Sequence, residues 1–332
     1  MKQLLPGNAI TGILKMSGKV FLYLLLLTGT ICFVTAAPVV LQTPAWMNVI
    51  FFITAVLLFI GGFRFCHAHW LLGIISGTFF LYFLLLTPQE QFADVKMQRI
   101  FAVAPDIEYL ENGKFKVINM RVNRYPVDYD ENSPDYQDVF RSDAVFDPAE
   151  VVAVQFASVY WGDYFYVAHN MLNFNFSDGR SLAVSIEPGT PEKVSRDALS
   201  CLCKQQKLLI ILSDPQDLFD LRTKIRGEDT YLYELDLTPQ ESRILLESII
   251  AKVHFLARQP EFYHLTNANC ITALWPSLKK ARPELQSDWR LYFNGFIDRM
   301  LFEQNLLKHR QNESFDSLKS RSFVKGKSQG KL

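Results

Sequence analysis

Charge is what this chain lacks most conspicuously near its start. Between Lys19 and Glu90 the only formally charged residue is Arg64, and a water-exposed domain is not built that way, because its surface needs charged side chains. Over the full length the 34 acidic and 34 basic residues cancel. Without a surplus of Lys and Arg to neutralise phosphates, a nucleic-acid partner is excluded. Cysteine is scarce as well, at five in 332 residues. Cys32 falls within an apolar run and Cys66 beside one, and Cys201 and Cys203 are too close in sequence to bridge comfortably. Cys270 has no obvious partner, so a disulfide framework is excluded. The nearest thing to a metal-ligand cluster is Cys66-His67-Ala68-His69, which reads as interfacial anchors on a short turn rather than as a metal site. No cofactor motif is present.

What fills the charge-poor stretch is three apolar runs, residues 20–41, 45–63 and 70–86. The first two are long enough to cross about 30 Å of hydrocarbon as helices, and the third is short but rich in Phe and Leu. Lys2, Lys15 and Lys19 precede the first run and Arg64 lies between the second and third. The positive-inside rule places those charges in the cytoplasm, so the chain after Thr87 emerges on the far side. Cleavage of the first run as a signal peptide near Ala36 or Ala37 is the competing reading, and its long basic lead favours a retained span. Residues 1–90 are therefore expected to be a membrane region with three transmembrane helices, 91–323 a soluble α+β domain, and 324–332 a disordered basic tail.

Within the soluble part, residues 115–122 and 151–160 read as strands, separated by a surface loop over 123–138 rich in Tyr, Asp and Pro. Two alternating runs around Asp178-Gly179 predict a hairpin. Matching apolar faces pairs Leu172 with Ile186, Phe174 with Val184 and Phe176 with Leu182, around a loop at Asp178 to Arg180. That register sets Glu187 diagonally across from His169, close enough to orient an imidazole. Thr238-Pro239-Gln240-Glu241 is a capping box that opens a helix to Arg258, with Leu245, Ile249, Val253 and Leu256 as its apolar stripe. His254 on that helix reads as structural. After Trp289 an amphipathic segment is expected to run to about His309.

Asn267 and Asn269 can cap a short helical turn over Ile271 to Trp275 that Pro276 ends. Cys270 would then sit at a helix N-terminus, where the dipole favours the thiolate. A lone Cys with a distant His suggests a nucleophile and its base, and His169 is a better candidate than His264, which is too near in the chain to fold back onto its own thiol. Arg222 and Arg226 could bind a phosphate or carboxylate, or could pair with Glu228 and Asp229.

These pieces together resemble a bacterial family of membrane-attached periplasmic proteins, typified by a lipoprotein N-acyltransferase that makes the lyso form. The resemblance is carried by Val117-Ile-Asn-Met-Arg-Val-Asn123, Val167-Ala-His-Asn-Met-Leu-Asn-Phe174, Ser177-Asp-Gly179, Ser185-Ile-Glu187, Asp220-Leu-Arg-Thr223, Arg226-Gly-Glu-Asp229, Pro260-Glu-Phe-Tyr263, Asn269-Cys270 and Asn294-Gly-Phe-Ile-Asp298. It implies a circularly permuted papain-like (NlpC-type) domain following the three transmembrane helices, with His before Cys in the chain. It implies Cys270 as nucleophile and His169 as base; the hairpin register adds Glu187 as a third member, and Arg222, Arg226, Tyr263 and Asn269 are the candidate substrate contacts. It further implies a thiol acyltransferase or hydrolase in the inner membrane, facing the periplasm, acting on a membrane lipid or lipoprotein. A cell-wall cysteine peptidase or amidase, and a non-catalytic envelope module, remain open beside it.

Overall fold

Alternating apolar residues build the sheet on which the rest of the molecule hangs. A computed structural model describes residues 92, 94–126, 140–161, 164–194, 200–201 and 204–325. The chain divides into two units, 1–91 and 92–332, and the described residues all belong to the second. The three apolar runs lie outside the described residues, as do Cys32, Arg64, the Cys66 to His69 cluster, Cys203 and most of the 123–138 loop. Among the described residues no helix is long and apolar enough to cross a membrane, and no group of His, Cys, Asp and Glu is placed to hold a metal ion.

The architecture is mixed α+β around one sheet. Its strands are β1 (Asp106–Tyr109), β2 (Phe115–Arg121), β3 (Arg141–Phe146), β4 (Val151–Tyr160), β5 (Ala168–Phe176), β6 (Ser181–Gly189), β7 (Lys207–Ser213), β8 (Asp229–Glu234) and β9 (Phe323–Lys325). They run in the order β1-β2-β7-β6-β5-β4-β8-β9, with β3 also paired to β2. Every pairing is antiparallel except a short parallel contact of β2 with β7. The helices are α1 (Pro215–Asp220), which continues into a π-turn over Leu221–Ile225, then α2 (Pro239–Arg258), α3 (Trp275–Ala281), α4 (Ile297–Glu303) and α5 (Phe315–Arg321).

Both faces of the central strands are covered, which is why β5 and β6 are buried at almost every position. On one face Leu172, Phe174, Leu182, Val184 and Ile186 meet Leu245, Ile249, Ile250 and Val253 of α2 and Leu278 of α3. On the other, Ala157, Val159, Met171 and Ala183 meet Leu218 of α1. The capping box at Thr238 and Glu241 forms as expected, and the apolar stripe gains Leu246 and Ile250.

Five expectations are corrected. The hairpin pairs Leu172 with Val184 and Phe174 with Leu182, two residues from the register read off the apolar faces. Period-2 alternation cannot distinguish registers that differ by two, since either keeps the same residues on each face. The turn decides: Phe176 N–H donates to Arg180 O, and Gly179 at φ +82° takes the left-handed position that favours glycine. Pro276 does not end the turn after Cys270. It lies in the first turn of α3, where a missing N–H costs nothing. Arg222 sits on the π-turn rather than in a loop. Finally, the segment after Trp289 is not one helix but two 3-10 turns, Trp289–Leu291 and Asn294–Phe296, followed by α4. Val324 and Lys325, expected in the tail, complete β9.

Candidate active site

The site arises where a β-ladder stops. β5 and β6 pair from Asn175 and Ser181 only as far as Met171 and Ser185, while β6 continues along β7 to Gly189. Pro188, which has no N–H to give, lies just beyond the break. The β5 edge at Ala168 to Asn170 is therefore free to receive another segment, and it receives Cys270. The Cys270 thiol lies 3.8 Å from Ala168 O, and the Asn170 backbone N–H donates to the sulfur.

Asn269 holds the cysteine there. Its Oδ1 accepts from the backbone N–H groups of Ile271 (2.9 Å) and Thr272 (2.8 Å), and its Nδ2 donates to Leu265 O. The turn that follows is helical, with Ala273 N–H bonded to Asn269 O and Trp275 N–H to Ile271 O. Cys270 is thus the first residue of a helical turn that leads into α3, and Asn269 is its cap. Asn267 is exposed and caps nothing; its side chain accepts from Thr266.

His169 and Cys270 lie close enough across the gap for each to shift the other's pKa. Both are almost wholly buried, at 4% and 2% exposure. His169 Nε2 lies 2.7 Å from Ser185 Oγ and 3.1 Å from Glu187 Oε1, so the thiol is left to Nδ1. Glu187 lies two residues beyond the last paired position of β6 with β5, and its side chain still reaches the imidazole. Its Oε1 accepts from Ser185 Oγ at 2.8 Å and from Arg222 Nη2 at 2.8 Å. Arg222 also reaches Glu228 at 3.3 Å, which makes a buried chain of charge running from the π-turn to the imidazole. The alternative of pairing with Glu228 thus holds for Arg222. Arg226, at the end of the π-turn, is half-buried.

The electrostatics follow from these contacts. Burial is the largest influence on His169 and pushes its pKa down, but the Glu187 carboxylate and Cys270 together outweigh burial and the opposing Arg222, and the net shift is upward. Burial pushes the Cys270 thiol up, yet the bond to His169, its charge, the Asn170 N–H and the Asn294 amide together bring it below the ordinary thiol value. Tyr263, also buried, has its hydroxyl facing the Cys270 backbone N–H. Burial and the neighbouring Cys270, Cys201 and Glu187 hold its pKa well above the usual phenol value, so it stays protonated.

Asn294 has a direct part that sequence reasoning missed. Its Nδ2 donates to Cys270 Sγ at 3.1 Å and its Oδ1 accepts from Ala168 N–H at 3.1 Å. Gly295 makes this approach possible, because a Cβ there would fall 2.3 Å from Phe165 O. The Asn-Gly pair was the available signal. Of the other histidines, His254 bonds Ile107 O at the far strand β1, and His264 turns its Nδ1 to Thr266 in its own loop.

Residues 138–295 match the family model of the Lnb N-terminal periplasmic domain. The matched stretch takes in His169, Glu187, Arg222, Arg226, Tyr263, Asn269, Cys270 and Asn294, and its resemblance to the Lnb domain is the one expected from the sequence. No curated protein and no solved structure gives a match.

Proposed function

We propose that this chain is a periplasmic thiol acyltransferase or hydrolase, anchored in the inner membrane by its three apolar runs, with a permuted papain-like arrangement of His169 and Cys270. The observation that carries this reading is the tautomer of His169. Ser185 gives its single hydroxyl proton to Glu187, so at 2.7 Å it accepts from His169 Nε2–H. Nδ1 is then the basic nitrogen, the one left for the thiol.

In this reading Nδ1 takes the Cys270 proton, and the sulfur attacks the carbonyl carbon of an ester or amide. The oxyanion that forms is stabilised by the Tyr263 hydroxyl, whose own oxygen accepts from the Cys270 backbone N–H. The tetrahedral intermediate collapses, the C–O or C–N bond breaks, and the His169 imidazolium protonates the leaving group. A thioester remains on Cys270. An amine or water, deprotonated by the same imidazole, resolves it to amide or acid. Glu187 and Arg222 keep the imidazole oriented, while Asn294 and Asn170 stabilise the thiolate.

The periplasmic setting is supported by the description of the matched domain. The membrane setting is supported by the charge-free runs before residue 90. A lipid ester or a lipoprotein suits an enzyme held there. A cell-wall peptidase would use the same residues, and the substrate separates the two. Full-length protein in vesicles with a diacylated lipoprotein should move one acyl chain to the lipoprotein N-terminus or release it as acid. If neither occurs while a cell-wall peptide is cleaved, the peptidase reading replaces it.

A further inference from the structure

We propose that the exposed aromatic face beside Cys270 docks into the interfacial layer of a phospholipid bilayer. Soluble surfaces rarely gather large apolar side chains in one place without a partner. Here Tyr164, Phe165 and Tyr166, just before β5, stand 60%, 66% and 41% exposed, and Trp289, Tyr292 and Phe293 stand 57%, 58% and 50% exposed. The two groups form one patch. Phe296 bridges them, its ring 6.0 Å from that of Phe165 and 5.4 Å from that of Trp289. Gly295 N–H bonds Tyr166 O and fixes the two segments together.

The patch adjoins the site through backbone continuity. Phe165 and Tyr166 lead into Ala168, whose carbonyl faces the thiol, and Phe293 precedes Asn294, whose amide touches it. Tyr and Trp combine an apolar ring with a polar tip, the combination that settles at the boundary between headgroups and acyl chains. The charged neighbours Asp288, Arg290 and Glu303 are paired with one another, so the patch has no unpaired charge among them to carry into that layer.

The occupant is indicated by where the apolar chain ends. The third apolar run stops at Leu86, and the described unit begins at Phe92. Phe92 packs edge-on to Phe262, the neighbour of Tyr263. Only residues 87–91 separate that run from this unit, so a bilayer that holds the run keeps the unit on a short tether. The inference rests on the membrane anchoring given above, and it assigns the aromatic face rather than the polar strand edges to the bilayer.

The test uses full-length protein in vesicles of phosphatidylethanolamine and phosphatidylglycerol. Photoreactive benzoylphenylalanine replaces Phe165, Tyr292 or, as control, Tyr109 on β1, which is equally exposed. Irradiation should give phospholipid adducts at 165 and 292 and none at 109. Adducts to protein at 165 and 292, or no adducts there, would overturn the inference. The same labels in a Cys270→Ser background should still give lipid adducts, since docking needs no chemistry. Adducts that persist without any acyl transfer would sink the thiol mechanism alone, and acyl transfer without adducts would sink the docking alone. A Phe165→Ser/Tyr292→Ser variant should lose lipid turnover while its Cys270 alkylates at the normal rate with a small water-soluble reagent. A parallel fall in both would mean that the patch merely supports the fold.

Discussion

Because the Ser185 hydroxyl donates its proton to Glu187, a single side chain outside the expected set fixes which imidazole nitrogen of His169 is left basic. The two candidate residues that the structure brings together were legible: a lone Cys after a capping Asn, and a His on a strand about a hundred positions earlier. Ser185 and Asn294 were not singled out, since a Ser on a strand and an Asn before Gly each have commoner roles in turns and ladders. Two predictions belong here. His169→Ala should cut turnover by ~10²–10⁴, the usual worth of a positioned base. In wild type, the raised His169 pKa and the lowered Cys270 pKa bring the two titrations toward each other, which favours the imidazolium–thiolate pair. The rate should climb as pH rises through the lowered thiol value and fall as pH rises through the raised imidazole value. Glu187→Gln removes the largest contribution that raises the His169 pKa, so the alkaline limb should move to lower pH. It also leaves buried Arg222 with Glu228 alone, and denaturant unfolding should show a loss of about 3 kcal/mol. An unchanged alkaline limb would mean that Glu187 does not hold the imidazole.

Among the elements, strand and helix positions were read well where periodicity is strong and poorly where it is ambiguous. β4 matches its expected span, and α2 matches its cap, length and stripe. The hairpin register slipped by two because apolar faces repeat every two residues, and only the glycine turn breaks the tie. The 289–309 segment looked amphipathic, but Asn294 and Gly295 are committed to the β5 backbone and cannot continue a helix. Gly295→Ala should therefore push the Asn294 segment off β5, because its Cβ would strike backbone rather than a flexible side chain. The expected outcome is a large loss of Cys270 reactivity with α2 intact, seen as slowed alkylation alongside unchanged hydrogen-exchange protection over Leu245 to Val253. On α2, Ile249→Ala should cost ~2–5 kcal/mol, since Ile249 is buried against β5 and β6.

At the level of the whole molecule, a charge-poor stretch precedes the α+β unit in the chain. The sheet brings a histidine from the α1 side and a cysteine from the α2 side to one gap in its ladder, and aromatic side chains surround the adjoining surface. A chain that reacts this way should pass through a covalent acyl-thiol. The most direct measurement is mass analysis of full-length protein, acid-quenched during turnover of a diacyl phospholipid in vesicles. The peptide bearing Cys270 should gain the mass of one acyl chain, and hydroxylamine should remove it, because thioesters are cleaved by that nucleophile. The adduct should be absent in Cys270→Ser and strongly diminished in His169→Ala. Turnover that proceeds in Cys270→Ser, or an acyl group found only on another residue, would contradict the mechanism.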